Sequence, residues 1–429
     1  LMSRRFKRLS DQYDSVTIPD YLESRFRDEG HGIRKIAAIA LLVFVPIYAG
    51  SQVFATGQAF NAFLGMNHFL GAAIGFAVVL LYITKGGFIA VVWSDVFQGT
   101  LMVVGLVLLP IVGLMEIGGV SNVVDSLRSH APEALSFTAG KEWSPLVIMT
   151  IVGFAAIGIG FLGSPQVFVR FVSLRSEKEI VPGALVALTW TILADSGAVL
   201  VGIIGRAIYL DVSAIGDSHE DILPFMSSDL MPPFIAGLFI AMVLSAIMST
   251  IDSLLVVASS AGVRDYWQRV LHPDMDDSRL IRLSERCTLV LALIAFVIGM
   301  GILLYDKENG VFWVIIFGWS GIAATFCPVM ILSLVWSGLT ARGVMVGMIL
   351  GFLCVPFFKF AVPAIATAAN VEVVNAYLSA LDVLLPAFLV SGTGAITVSL
   401  LDRNGRQRLA DTRDDLARAA GRRGPTNDG

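Results

Sequence analysis

Long apolar stretches free of charge recur along the chain, and their length decides how they are read. A helix needs about 20 apolar residues to cross a hydrocarbon layer. Stretches without Asp, Glu, Lys or Arg run over 36–84, 96–115, 143–169, 287–305, 309–341 and 383–401. Three more, 181–205, 230–263 and 343–371, are interrupted only by Asp195, Asp252 and Lys359. The first stretch is too long for one helix, and the polar turn at 61–68 divides it. The pattern therefore predicts about ten transmembrane helices and an all-α integral membrane protein.

Charge placement gives the direction of these helices, because cytoplasmic loops collect Lys and Arg. With 1–35 on the cytoplasmic side, alternation puts 25 of the 30 basic residues there. The other side keeps Arg128, Lys141, Arg206, Lys307 and Lys359, and its loop 211–229 carries Asp211, Asp217, Glu220, Asp221 and Asp229. Both ends are thus expected in the cytoplasm, with the plasma membrane as the location. Three regions follow: a cytoplasmic segment 1–33, a transmembrane domain 34–401 and a cytoplasmic tail 402–429. Thr17, Pro19, Asp20 and Glu23 predict a capped interfacial helix, whose Arg-rich flank fits anionic lipid. The tail is expected to be a mobile end.

Composition narrows the function. Of the 429 residues 56% are apolar and 15% charged, and the net charge is −4. No basic footprint for nucleic acid is present. Cys287, Cys327 and Cys354 are odd in number, far apart and set in apolar runs, and read as small core residues. The opening Leu1-Met2 leads to Arg4, Arg5, Lys7 and Arg8 with no apolar run behind it, so no cleaved signal peptide is expected and the N-terminus is expected to be missing. The histidines, His31, His68, His130, His219 and His272, form no HExxH motif. No GxSxG and no Walker A sequence occurs, so the chain is read as neither an enzyme nor an ATP-driven pump, and no cofactor is implied.

Candidate chemistry lies in polar residues at membrane depth. In the run from Ala241 to Ser253, helical spacing puts Ser245, Ser249 and Asp252/Ser253 near one stripe. The carbonyl of Ala246 and the hydroxyls of Ser249 and Thr250 can converge, and hard cations favour such oxygens. The alternative is that these small residues glue packed helices. Asp95, after Gly86 and Gly87, fits either a helix N-cap or an ion-release gate. Asp195 calls for a partner on a neighbouring helix. Gly153, Gly158, Gly160, Gly163, Ser164 and Pro165 predict a broken helix, either at a solute site or as a simple kink. Tyr48 and Gln52 share one face of the first span and could reach the same cavity, or merely pack.

Taken together, the stretches Thr17-Ile-Pro-Asp-Tyr-Leu-Glu-Ser-Arg-Phe26, Gly86-Gly-Phe-Ile-Ala-Val-Val-Trp-Ser-Asp95, Gly160-Phe-Leu-Gly-Ser-Pro-Gln-Val-Phe-Val-Arg-Phe171, Ser245-Ala-Ile-Met-Ser-Thr-Ile-Asp-Ser253 and Gly318-Trp-Ser-Gly-Ile-Ala-Ala-Thr-Phe-Cys-Pro328 resemble the sodium:solute symporter family, closest to its sodium/proline branch. The resemblance implies a fold of the leucine-transporter type, two inverted five-helix repeats around a central site. It also implies sodium-coupled import of a small organic solute, with an amino acid such as proline foremost and a sugar, carboxylate or vitamin, or a solute-sensing role, as alternatives. By the same resemblance Ala246, Ser249 and Thr250 are sodium ligands. Asp95 matches an acidic position linked to sodium coupling, and Tyr48, Phe161 and Pro165 match positions around the solute; Asp252 is added as a coupling or gating residue and Ser164 as a solute-site residue. Sodium, the solute and the bilayer are the implied partners. The family carries three helices ahead of the position of Leu1, which implies that half of the sodium site lies on them. The proline branch has Trp, Tyr and Gln where this chain has Ile157, Phe161 and Ser164.

Overall fold

The computed structural model describes residues 2–211, 215, 219–305, 311–409 and 412–421. The expected positions Asp217, Lys307 and 424–429 lie outside the described residues. Eighteen α-helices are described: α1 Met2–Gln12, α2 Ile18–Phe26, α3 Gly32–Leu64, α4 His68–Ile117, α5 Val120–His130, α6 Pro145–Ala156, α7 Pro165–Val172, α8 Ile180–Ile208 and α9 Ile222–Leu230. They continue with α10 Pro233–Ser260, α11 Asp277–Tyr305, α12 Val311–Val335, α13 Ala341–Pro356, α14 Val362–Ala368, α15 Glu372–Ala380, α16 Leu384–Leu401, α17 Arg403–Arg408 and α18 Thr412–Ala419.

Among the described residues nine helical stretches are long and apolar enough to span a bilayer, and His68–Leu81 is a shorter apolar stretch. The expected second and third spans are therefore joined. The helix α4 runs 50 residues without interruption through Gly86 and Gly87, because two glycines cost a helix only about 1 kcal/mol each. The predicted turn at 61–68 is present: Gly65 takes the left-handed conformation after α3, and the Asn67 side chain caps α4.

Burial identifies the centre of the molecule. Of the most apolar window, 78% is buried in α12 and 67% in α3, against 17% for the span containing α8. The two central helices approach closely because Gly321 faces the ring of Phe44 where a Cβ would stand 2.1 Å from it. The α12–α13 crossing likewise places Gly351 against the carbonyl of Ala324. Small residues at such crossings let helix backbones meet and gain dispersion contacts.

The segments ahead of α3 are packed onto the bundle. Thr17 does cap α2, accepting from the Asp20 N–H at 3.1 Å. Its Ile18, Tyr21, Leu22, Arg25 and Phe26 are buried, and it packs on α3 and α7. The basic residues of α1 also turn inward. Arg5 donates to the Leu334 carbonyl, Lys7 to the Val172 carbonyl and Arg8 to Glu177, which leaves Arg4 as the exposed one. Nor is the described tail free. Asp415 of α18 accepts from Gln12 at 2.7 Å and from Tyr13 at 2.8 Å, and Arg8 donates to the Ala419 carbonyl.

A buried ionic cluster binds these pieces to the bundle. The Arg34 guanidinium, near the start of α3, donates to Asp20 at 2.7 Å, to Glu23 at 2.8 Å and to Asp265 at 2.8 Å. Asp265 is fully buried on the π-helical run Ala261–Leu271 that extends α10, and it also accepts from Thr17. Burial alone would raise the Glu23 carboxyl, but hydrogen bonds from Arg34 and His31 outweigh it and hold the group below its ordinary range. A depressed carboxyl stabilises the fold above its unfolded pKa and loses that contribution only as pH falls through the lowered value. Arg34→Ala strands three carboxylates and should cost about 3–5 kcal/mol. Thermal unfolding of the detergent-solubilised variant measures the loss, and an unchanged midpoint would mean that the cluster does not hold these segments.

Candidate functional site

The break predicted ahead of Pro165 is present and is built from two cooperating causes. Glycine-rich sequence weakens the α-helix after Ala156, which tightens into a 3-10 turn over Ile157–Leu162 before α7 starts at Pro165. Neighbouring side chains then take up the freed carbonyls. The indole N–H of Trp319 donates to the Ile157 carbonyl at 3.3 Å, and the Cys327 thiol donates to the Gly160 carbonyl at 3.0 Å. Glycine is required at both contacts. A Cβ on Gly160 would stand 2.6 Å from the Trp319 indole, and one on Gly163 would stand 2.8 Å from the Cys327 Cα.

Around the break the expected solute-site residues take distinct positions. Phe161 is 56% exposed and lies against Trp319, ring centroids 4.6 Å apart. Tyr48 approaches the same indole edge-on at 6.5 Å. Ser164 is fully buried at the start of α7, and Pro165 supplies that helix's first residue. Gln52 is buried on α3. Trp319 thus joins Tyr48 and Phe161 into one aromatic wall, a role that neither residue's own sequence neighbourhood could reveal.

The expected cation ligands form a single turn of α10. Ser249 Oγ and Thr250 Oγ1 each donate to the Ala246 carbonyl at 3.0 Å, so three oxygens meet at one point on the helix. One turn further on, Asp252 is fully buried and accepts from Ser94 Oγ of α4 at 3.3 Å. Asp95 lies inside α4 and is not a helix cap. Its carboxylate pairs with the Arg170 guanidinium of α7 and accepts from Ser253 at 3.4 Å. Arg170 also donates to Ser253 at 3.1 Å. Asp95, Asp252, Ser253 and Arg170 therefore close a junction of α4, α7 and α10.

One expectation fails and one residue was not anticipated. Asp195 lies on the exposed side of α8, so the neighbouring partner expected for it is not found among the described residues. Arg170 was missed, although an acid at membrane depth demands a cation and Arg170 stands only a short way past Pro165. Trp319 and Cys327 carried no local sign of their contacts. Among the described residues no group of three His, Cys, Asp or Glu side chains could hold a metal ion. An oxygen-only monovalent site of the 246–250 type is a different chemistry.

Comparison with known proteins gives four consistent findings. The family model described as the sodium:solute symporter family matches residues 1–351. The chain is 34% identical over 404 residues to the high-affinity proline transporter PutP of Bacillus subtilis (strain 168), covering 94% of this chain and 80% of that protein. It is 31% identical over 350 residues to the sodium/proline symporter of Escherichia coli (strain K12), covering 81% and 68%. A solved structure of a Na+-coupled sialic acid symporter, in a substrate-bound outward-open state, superposes with a TM-score of 0.72 at 18% identity. That match covers 94% of this chain and 82% of the other, and it shows the shared fold.

The α4–α7–α10 junction should be energetically coupled. In a double-mutant cycle, Arg170→Ala and Asp95→Asn together should cost less than the sum of the two singles, by about 0.5–3 kcal/mol. Thermal unfolding in detergent measures it, and strictly additive losses would show that the pair does not tie α7 to α4.

Proposed function

The chain belongs to the sodium:solute symporter family, and from that premise we propose that it is a sodium-coupled symporter importing proline across the plasma membrane. The observation that carries the cation assignment is the oxygen triad of the 246–250 turn. A hydroxyl can donate or accept. When sodium arrives, the Ser249 and Thr250 protons rotate away from the Ala246 carbonyl, and all three oxygens turn lone pairs toward the ion. Two internal hydrogen bonds are exchanged for three ion contacts, so the turn is poised for the cation.

Solute binding is assigned to the break, with Tyr48, Phe161, Ser164 and Pro165 around it. The relatives named for proline support that solute. Asp95 and Asp252 serve as coupling or gating groups, because they join α10 to α4 and, through Arg170, to α7. Sodium at the 246–250 turn and solute at α7 then favour the same arrangement of these helices, and each raises the affinity for the other by linkage. The Lys and Arg bias supports cytoplasmic placement of both described ends.

One sodium ion is energetically sufficient. Its passage down ~100 mV releases about 2.3 kcal/mol, and a tenfold gradient adds about 1.4. Their sum supports roughly 500-fold accumulation of a neutral solute.

The test is uptake of labelled proline into proteoliposomes under an inward sodium gradient. Thr250→Ala or Ser249→Ala should raise the sodium concentration for half-maximal uptake about tenfold or more, equivalent to about 1.4 kcal/mol of lost ion binding. Equal accumulation when choline or potassium replaces external sodium would refute the symporter reading.

A further inference from the structure

We propose that the pocket between the α2–α3 turn, the start of α13 and α17 binds the headgroup of an anionic phospholipid, whose acyl chains lie along α3 and α13. This pocket shares no residue with the 246–250 turn, the break ahead of α7 or the α4–α7–α10 junction.

The pocket opens where the hydrocarbon layer gives way to water. Its wall includes Gly30, Ala341 and Asp402, and its volume is about 640 Å³. One apolar span begins at Gly32, a second begins at Ala341 and a third ends at Leu401. Each boundary falls on the wall or within two residues of it. The Lys and Arg bias puts all of these span ends on the cytoplasmic side, the leaflet face at which basic pockets meet anionic headgroups.

The side chains suit a phosphodiester. Arg27, Arg342 and Arg408 reach the wall from separate segments, and all are exposed. A guanidinium fork matches phosphate oxygens in pairs. The Arg408 guanidinium has no hydrogen-bond or ion-pair partner among the described residues, although its backbone carbonyl accepts from Arg27 at 3.4 Å. Arg342 stands 3.6 Å from Asp402 with its side chain 73% exposed, so that pair holds it weakly. Acids are present too, but two of them are turned to the main chain at helix starts. Asp28 accepts from the Ile33 N–H at 2.7 Å and Asp402 from the Gly405 N–H at 3.1 Å. The remaining acid, Glu29, is exposed. Beside the wall, Lys35 donates to the Gly30 carbonyl at 3.1 Å and brings a further cation. The pocket is thus left with cationic donors to offer, and these call for an anion.

The surface leading away from it separates a lipid from a free phosphate. Met345 lines the wall, and Ile349 and Leu353, 41% and 53% exposed, follow it at successive turns of α13. Exposed Ile39 and Val43 follow Lys35 in the same way along α3. Both stripes run from the water boundary into the apolar spans, so a headgroup held by the arginines has its acyl chains beside them. A soluble phosphate would use none of this surface.

Native mass spectrometry of the full chain in detergent, titrated with dioleoyl-phosphatidylglycerol or dioleoyl-phosphatidylcholine, tests the assignment. Wild type should bind a phosphatidylglycerol at least about tenfold more tightly than phosphatidylcholine, whose choline offsets its own phosphate. Arg342→Ala combined with Arg408→Ala should weaken phosphatidylglycerol about tenfold or more and leave phosphatidylcholine within about twofold. Arg408→Ala alone gives up no protein contact of the guanidinium and should weaken it about fivefold, which keeps the test open if the double variant is unstable. Removing equal charge from the exposed start of α11, in Arg279→Ala combined with Arg282→Ala, should leave the preference within about twofold. Added phosphatidylglycerol should also raise the thermal midpoint of wild type and of the α11 variant more than that of the pocket variants. Absence of a preference in wild type, or its equal loss in the pocket and α11 variants, overturns the proposal. Full displacement of the lipid by millimolar glycerol phosphate makes the pocket a site for soluble phosphate and overturns the lipid assignment.

Discussion

An unwound stretch of backbone inside a hydrocarbon layer survives only where other groups take up its hydrogen bonds, each of which costs several kcal/mol if left unmade. In this protein α12 provides them. Trp319 and Cys327 stand on one side of that helix and reach the Ile157 and Gly160 carbonyls. The same approach forbids a side chain at Gly160 and Gly163. The most buried span of the bundle is therefore the wall against which the chain can break and restart. Without it, α7 would continue the axis of α6.

The short helix α7 then carries two kinds of chemistry at its two ends. Its start holds the buried, unpartnered Ser164 and Gln166, and its end holds Arg170 in the junction with Asp95 and Ser253. Because Ser253 lies on the helix that also bears the 246–250 turn, α7 and the oxygen triad are connected by a continuous set of bonds. Displacing α7 would break the Arg170 pair and shift the packing of Phe6 on Phe168.

In α1, in α2 and at the start of α3, charged side chains are engaged by other parts of the protein. Lys7 and Arg8 tie α1 to the segments flanking α7 and to the tail, and Arg34 gathers carboxylates from α2 and from the π-helical end of α10. Surface pairs of this sort contribute little singly. The Arg34 cluster is different, because both Arg34 and Asp265 are removed from water and depend on each other.

Much of this protein was legible along the chain, because the bilayer imposes a strong local rule. Uncharged length announces a span, glycines ahead of Pro165 announce the break, and Ala246, Ser249 and Thr250 meet through helix spacing alone. Each of these is set by residues within a turn or two of one another. Other features needed the packed molecule. The stretches 36–84 and 96–115 read as separate spans with Asp95 a possible cap between them, yet α4 runs on through Asp95, which is an interior residue with a cationic partner. Sequence spacing carried no sign that Trp319 would serve Ile157, that Arg34 would reach Asp265, or that the Gln166 amide would be buried with nothing to bond. Those facts depend on which helix faces meet, and that is decided by the whole bundle's close packing, to which residues hundreds of positions apart contribute equally.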